Sequence, residues 1–537
     1  MRAMTVQIEK WECFELSLSG EAAGNPFVDV WLEADFTQAG RAVHVSGFYD
    51  GGDRYRVRFM PEVEGEWTYV TRSNLPALDG VRGRLECTGA KGTNRGPVRV
   101  ANKFHFAFAD GTPYVPVGTT CYVWNLQGDA LEEKTLHSLE GAPFNKMRMC
   151  VFPKRYTFNS NEPPQYPFEA KFEGRLESTW SPAMVAAYSQ QQPPDYWNLE
   201  RFNPAYFQHL EKRIRDLRDR GIEADLILFH PYDYGAWGFD RMPVEANDRL
   251  LRYLVARLGA LRNVWWSFAN EYDLFIGRTV EDWDHYMQLV QEIDPYQHLR
   301  SIHNCFSFYD HSKPWITHCS IQNWNMYRVQ TWRKLYGKPV VIDECGYEGD
   351  INMLWGDLSA EKMMHRFWTG FCQGGYVGHG ETYVNDREEL WWSKGGELVG
   401  QSPARIAFLR AIFEQAPELS PVEKADGEFV DIMEPGLRAF RQGQELIDTI
   451  VAEGKWNCTA GGYHADDYFL FYYGSHQPGF RNFRLPAHST YRVDIIDTWN
   501  MTITCFAQAA SGPLTVPMPA KKYMAIRIQE NAGIYPG

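Results

Sequence analysis

NVWWSFANEYD, residues 263–273, and KPVVIDECGYEGD, residues 338–350, decide how this chain is read. Each is a short, strongly apolar run that ends abruptly in acids: Asn270 and Glu271 in the first, Asp343 and Glu344 in the second. An apolar run of four to eight residues bounded by turn formers reads as a strand buried on both faces, as in a parallel sheet. In a closed parallel barrel the C-terminal ends of all strands converge on one pocket. The two glutamates then face each other across one mouth.

Working outward, six more runs have the same character: TPYVPVGTT (112–120), NKMRMCVF (145–152), EADLILFH (223–230), LRSIHNC (299–305), THCSIQNW (317–324) and GGYVGHGE (374–381). Helical stretches separate several of them. Pro204–Arg220 carries apolar residues at three- and four-residue spacing, with Gly221 at the expected C-cap. Asn247–Leu261 and Val280–Ile293 repeat the pattern. Eight strands with intervening helices predict a (β/α)8 TIM barrel. The polar, Pro- and Tyr-rich segment Phe152–Leu199 is too long for a connector and reads as an active-site loop. On either side the pattern changes to short alternating runs such as FVDVWLEADF (27–36), RYRVRF (54–59), YFLFYY (468–473) and YRVDIID (491–497), which predict β-sandwiches. KGTNRGP (91–97) reads as a linker. The expected architecture is multidomain α/β: an N-terminal β-sandwich at 1–98, a (β/α)8 catalytic barrel at 99–415 and a C-terminal β-sandwich at 416–537.

Paired carboxylates are what glycoside hydrolysis requires. One is protonated and donates to the leaving oxygen; the other is ionised and attacks the anomeric carbon or activates water. In a retaining enzyme Glu271 is the acid/base and Glu344 the nucleophile, with Asn270 bonding a hydroxyl beside the anomeric centre. Sugar rings also present C–H faces that pack on aromatic rings. Tyr122 and Trp124 follow strand one, Tyr232, Tyr234 and Trp237 strand three, Trp324 and Tyr327 strand six, and Trp391 and Trp392 strand eight. Trp124, Tyr232, Trp324 and Tyr327 head the expected sugar-binding set.

With these residues in view, the chain resembles the clan A glycoside hydrolases, whose Asn-Glu on strand four and Glu on strand seven match Asn270, Glu271 and Glu344. It resembles more closely the apiosidase-like barrels, through GPVRVANKFHFAFADGTPYVPVGTTCYVW (96–124), WSFANEYD and VVIDECGYEGD. That resemblance covers the whole chain in order. It implies a barrel between two β-sandwiches, a retaining mechanism with a covalent glycosyl-enzyme intermediate, and no metal or other cofactor. It further implies that Arg148, at the end of strand two, holds the nucleophile ionised, and that His230 at the end of strand three binds a sugar hydroxyl. The family often has His or Tyr on strand six beside the nucleophile, where this chain has Gln322 and Trp324; Tyr327 or His303 is then expected to supply that partner. Where strand eight often carries a Trp, GHGETY offers His379 and Glu381.

The composition is that of a globular protein: 537 residues, 44% hydrophobic and 23% charged, with 19 Trp, 29 Tyr and 32 Phe. A net charge of −14 disfavours a nucleic-acid partner, which needs a cationic surface. No membrane-spanning stretch and no secretory signal are visible. The ten cysteines are scattered without CxxC pairs and read as reduced core thiols of a cytoplasmic protein. The HSKPW run at His311 reads as a solvated loop. The expected partner is an oligosaccharide or glycoside, cleaved in exo fashion, with homo-oligomerisation left open. Two alternatives stand beside this reading: a non-catalytic carbohydrate-binding protein on a glycosidase barrel, and a metal-dependent barrel hydrolase. Strand one ends GTTCYVWN, without the His-x-His that the latter needs.

Overall fold

A computed structural model describes residues 6–21, 24–174, 176, 187–190, 192–387, 389–421 and 460–531. Part of the Phe152–Leu199 segment, the stretch 422–459 and Cys458 within it therefore lie outside the described residues.

All eight apolar runs form parallel strands: β1 (Gly118–Thr120), β2 (Lys146–Cys150), β3 (Glu223–Phe229), β4 (Val264–Ala269), β5 (Arg300–Ser301), β6 (Cys319–Gln322), β7 (Val340–Glu344) and β8 (Tyr376–Val377). Strands β1 to β5 pair in sequence order as one parallel sheet, and β6 to β8 as a second. Two parallel bridges, His303–Ser320 and Thr119–His379, join the sheets at both edges, so the pairings close into a barrel. The last join is made by the Thr120 amide donating to the His379 carbonyl and the His379 amide to that of Gly118, both at 2.8 Å.

Helices follow most strands: α1 (Asp129–Glu140), α2 (Pro204–Arg218), α3 (Val244–Leu258), α4 (Val280–Ile293), α5 (Val329–Tyr336), α6 (Ala360–Cys372) and α7 (Ser402–Glu414). In α2, Asn203 caps the Ala205 amide, Pro204 opens the first turn, and Tyr206, Phe207, Leu210, Ile214 and Leu217 form the buried stripe. It ends two residues short of the expected Arg220, and Gly221 (φ +70°) turns the chain out of it. Helix α3 begins three residues before the expected Asn247, directly after Pro243. Helix α4 has the expected bounds, fixed by a Thr279–Asp282 capping box. No helix lies between β5 and β6. Across that gap His311 is fully buried, its ring edge-on to Tyr336 at 5.1 Å, so the run expected as a solvated loop is anchored at its first residue while Ser312 and Pro314 stay exposed.

The conspicuous stretch 96–124 does more than lead into β1. Val98–Ala101, His105–Phe108 and Pro113–Tyr114 form a three-stranded antiparallel sheet. It sets Phe106 against Trp265, His318 and Tyr376, and Tyr114 against Trp265, closing the barrel at the end away from the glutamates.

Before this plug a five-stranded and a three-stranded sheet enclose Phe36, Phe59 and Trp67, with Phe36 stacked on Phe59 at 4.1 Å. After α7 a six-stranded and a two-stranded sheet enclose Phe471, Phe483, Val493 and Ile526. The N-terminal sheets meet the barrel through buried ion pairs: Arg58 to Glu211 at 2.8 Å and Arg257 to Asp50 at 2.7 Å. The nine described cysteines are all free thiols. No helix among the described residues is long and apolar enough to cross a membrane.

Candidate active site

Glu271 leaves β4 and Glu344 ends β7; both are buried, at 8% and 7% exposure. Glu271 has φ +50°, in the left-handed region, which for a non-glycine residue costs roughly 1–3 kcal/mol and persists only where the surroundings impose it. The reversal turns its side chain toward Glu344. The Gln322 amide, oriented as its neighbours require, donates one nitrogen to both acids: 3.1 Å to Glu271 Oε1 and 3.0 Å to Glu344 Oε2.

The remaining Glu344 oxygen is also held. Arg148 Nη1 donates to Oε1 at 3.0 Å, and the Tyr122 hydroxyl donates to the same atom. Arg148 Nη2 reaches on to Asn270 Oδ1 at 2.8 Å, and the Tyr122 oxygen, its proton directed to Glu344, lies 3.3 Å from the same Asn270 atom. Asn270 Nδ2 is buried without a hydrogen-bond partner among the described residues. Beneath this layer Lys146 donates to Asp225 (2.5 Å) and Asp343 (2.7 Å), and Ser320 Oγ donates to Asp343 at 2.5 Å. Asp343 is thus part of the floor, and Glu344 alone faces the mouth.

The environments drive the two acids apart. Burial, then the charge of Glu344, raises Glu271 to about 7 against the pull of Lys154. Burial also presses on Glu344, but His303, Arg148 and the Tyr122 hydrogen bond outweigh it and bring Glu344 below the ordinary glutamate value. His303 is itself held to about 4 by burial and by Arg148, so above that pH the ring is neutral and Arg148 and Tyr122 sustain the effect.

The other expected residues divide. Arg148 and Asn270 lie at the glutamates, and Tyr232 lies beside Lys154, its ring centroid 4.0 Å from Nζ. Trp324 is 56% exposed on the rim after β6. Four expectations are corrected. His230 spends both ring nitrogens on the backbone, with Nε2 at 3.3 Å from the Phe152 carbonyl and Nδ1 accepting from the Tyr232 amide at 3.2 Å. Trp124 is fully buried, as are Trp237 and Trp391, and a sealed indole offers no face to a sugar. Tyr327 packs toward His365 at 6.4 Å and is not the nucleophile's partner. His303, by contrast, lies near enough to act on Glu344, and neither of its ring nitrogens has a hydrogen-bond partner among the described residues. Glu381 is buried beside Glu348 and accepts the Val399 amide at 2.6 Å, anchoring a loop. The hydrogen-bonding place expected for Tyr327 or His303 is filled by Tyr122 and Gln322. Tyr122 stood in the sequence as one more aromatic after a strand, and Gln322 as a mere departure from the pattern.

Lys154 had no signal in the sequence at all. Its Nζ lies over Tyr122 (3.6 Å to the ring centroid), Tyr156 (4.4 Å) and Trp392 (5.1 Å) as well as Tyr232. Among the described residues, Asp129, Glu132 and His209 have the spacing of metal ligands. Arg213 donates to Glu132 at 2.6 Å and to Asp129 at 3.2 Å, so a guanidinium already serves those carboxylates.

Comparison with known proteins follows the same divisions. The profile of the family described as apiosidase-like, catalytic domain, matches residues 101–397. Two domains of unknown function flank it, DUF5060 at 7–74 and DUF5605 at 456–529. A candidate glycoside hydrolase from Bacteroides vulgatus ATCC 8482, known from its crystal structure, is 38% identical with a TM-score of 0.85, over 98% of this chain and 100% of that one. A family 5 glycoside hydrolase from the same organism shares the fold at 14% identity and a TM-score of 0.56, over 83% of this chain and 95% of that one. No curated protein matches the sequence.

Proposed function

Because the chain belongs to the apiosidase-like family of glycoside hydrolases, we propose that it cleaves a glycosidic bond by a retaining double displacement, with Glu344 as nucleophile and Glu271 as acid/base. The observation that carries this reading is the Gln322 amide, which bonds both carboxylates at once. Two oxygens sharing one nitrogen at 3.1 and 3.0 Å lie within about 6 Å of each other, which suits the roughly 5–5.5 Å of retaining pairs better than the 6.5–9.5 Å of inverting ones.

In the first step the protonated Glu271 donates to the leaving oxygen while ionised Glu344 attacks the anomeric carbon. In the second, Glu271 as carboxylate takes a proton from water, which displaces Glu344. Gln322 holds the two acids in register, and Arg148 with Tyr122 keeps Glu344 ionised. The open donor of Asn270 is placed for a sugar hydroxyl. The reading treats the ring of parallel strands as a (β/α)8 barrel, with sandwiches at 1–98 and 416–537. It includes exo action on small glycosides in the cytoplasm. That action is supported by the segment after β2, whose Tyr156 and Phe158 pack against Trp392 and wall one side of the mouth.

Glu344→Gln is expected to lower kcat by at least about 10³-fold while sugar binding and folding persist. Glu271→Gln should slow hydrolysis and recover with azide on activated aryl glycosides. NMR of the first product formed should show the substrate's anomeric configuration; an inverted product, or an active Glu344→Gln enzyme, overturns the assignment.

A further inference from the structure

Lys154 is a cation that the proposed mechanism does not use. It is 2% exposed, yet no carboxylate among the described residues lies within ion-pairing distance of Nζ. Four aromatic rings surround it at 3.6 to 5.1 Å. Such rings attract an ammonium by their faces but do not neutralise it. One of them is Tyr122, whose hydroxyl bonds Glu344, so the ammonium stands directly behind the nucleophile's partner.

The charges around it are committed elsewhere. Arg148 is balanced by Glu344. Glu271 is neutral in the form that starts the reaction. His230 is neutral too, held to about 3 by burial and by Lys154 itself. Cys150 is a buried thiol whose ionisation is suppressed. The remaining carboxylates, Asp225 and Asp343, are taken by Lys146 in the floor, so Lys154 is the cation of this layer with no anion in contact among the described residues. Burial lowers Lys154 only to about 8, so that charge is present at neutral pH. A glycosidase transition state builds positive charge on the sugar ring. An uncompensated cation beside it opposes catalysis on a neutral sugar. A substrate that brings its own carboxylate removes the opposition and pairs a costly buried charge.

We propose that Lys154 recognises a carboxylate on the sugar in the glycone position, so that the substrates are glycosides of uronic acids. This deepens, and rests on, the reading of Glu271 and Glu344 as acid/base and nucleophile.

The test is a set of matched 4-nitrophenyl glycosides in both anomeric forms: glucuronide against glucoside, galacturonide against galactoside. The wild-type enzyme should cleave at least one uronide with kcat/KM roughly 100-fold above its neutral counterpart. Lys154→Met should lower the uronide-to-neutral ratio of kcat/KM by about that factor, whereas Lys154→Arg, which keeps the charge, should retain the preference. The wild-type ratio needs no variant, so it decides even if Lys154→Met fails to fold. Wild-type hydrolysis of neutral glycosides equal to or above that of every uronide, abolished in Glu344→Gln, would overturn the uronide proposal and keep the hydrolase. If no glycoside is cleaved, calorimetry of Glu344→Gln with sodium glucuronate and sodium galacturonate decides. Binding that Lys154→Met removes would uphold the Lys154 site while sinking the hydrolase reading, and no binding of either would overturn the proposal.

Discussion

Glu271 and Glu344 have the same side chain, and their different proton affinities come from what surrounds each. In the proposed mechanism Glu271, pushed to about 7, is the proton donor, so the rate should fall as pH rises through about 7. Glu344 must be ionised, and because it lies below the ordinary glutamate value, the acid-side fall should come below about 4.3. A kcat/KM–pH profile with a plateau between these limits is the expected result. Arg148 keeps the lower limit low. Arg148→Met should move the acid limb to higher pH and reduce kcat by about 10²-fold, since one preorganised charge is lost from the site. An unmoved acid limb would show that Arg148 is not what keeps Glu344 ionised.

At the scale of elements, the loop after β5 is pinned by one side chain. Asp273, two residues beyond Glu271, accepts the amides of Cys305 (2.6 Å), Phe306 (2.7 Å) and Ser307 (2.8 Å). Phe306 is 80% exposed at this rim even though its backbone is fixed. Asp273→Ala should cost about 1–3 kcal/mol in urea unfolding, and Asp273→Asn, which keeps an acceptor, should cost less. Equal stability of Asp273→Ala and wild type would show that the loop is held elsewhere. The eight barrel strands were legible because strands buried on both faces leave unbroken apolar runs, and the glutamates were legible because each ends such a run. Gln322, Tyr122 and Lys154 were not, because their roles depend on which strands become neighbours around the ring. Gln322 and Glu344 end adjacent strands, paired in register, yet lie 22 positions apart in sequence. Trp124 failed as a sugar platform because the chain after β1 coils inward, into a single turn of helix at Trp124–Leu126.

Taken as a whole, the molecule buries histidines and acids whose titrations act on stability in opposite directions. His105, His303 and His365 are held to about 4, and His230, His311, His318 and His379 to about 3, all by burial first. The unfolded chain binds these protons near pH 6.5 and the folded one does not, so stability rises with pH up to about 6.5. Burial raises Glu223 to about 8 and Asp240, Glu271 and Glu381 to about 7. The folded chain keeps those protons after the unfolded chain has lost them, so stability falls with pH from about 4.3 toward 8. Seven histidines outweigh four acids below pH 6.5, the acids dominate from there to about 8, and above about 8 Lys154, which the folded chain deprotonates before the unfolded one, works against them. Melting temperatures measured from pH 4 to 9 should peak near pH 6–6.5, and a rise continuing to pH 8 would contradict the balance. The barrel itself is made of a five-strand and a three-strand sheet that touch by one bridge at each edge. Glu271 and Arg148 belong to the first sheet, Glu344 and Gln322 to the second, and the Arg148–Glu344 and Gln322–Glu271 bonds cross between them. Neither half holds both proposed catalytic acids: the groups assigned to the chemistry are also the rivets across the joint, so under the proposed mechanism a change that weakens the joint is expected to be felt first as lost turnover.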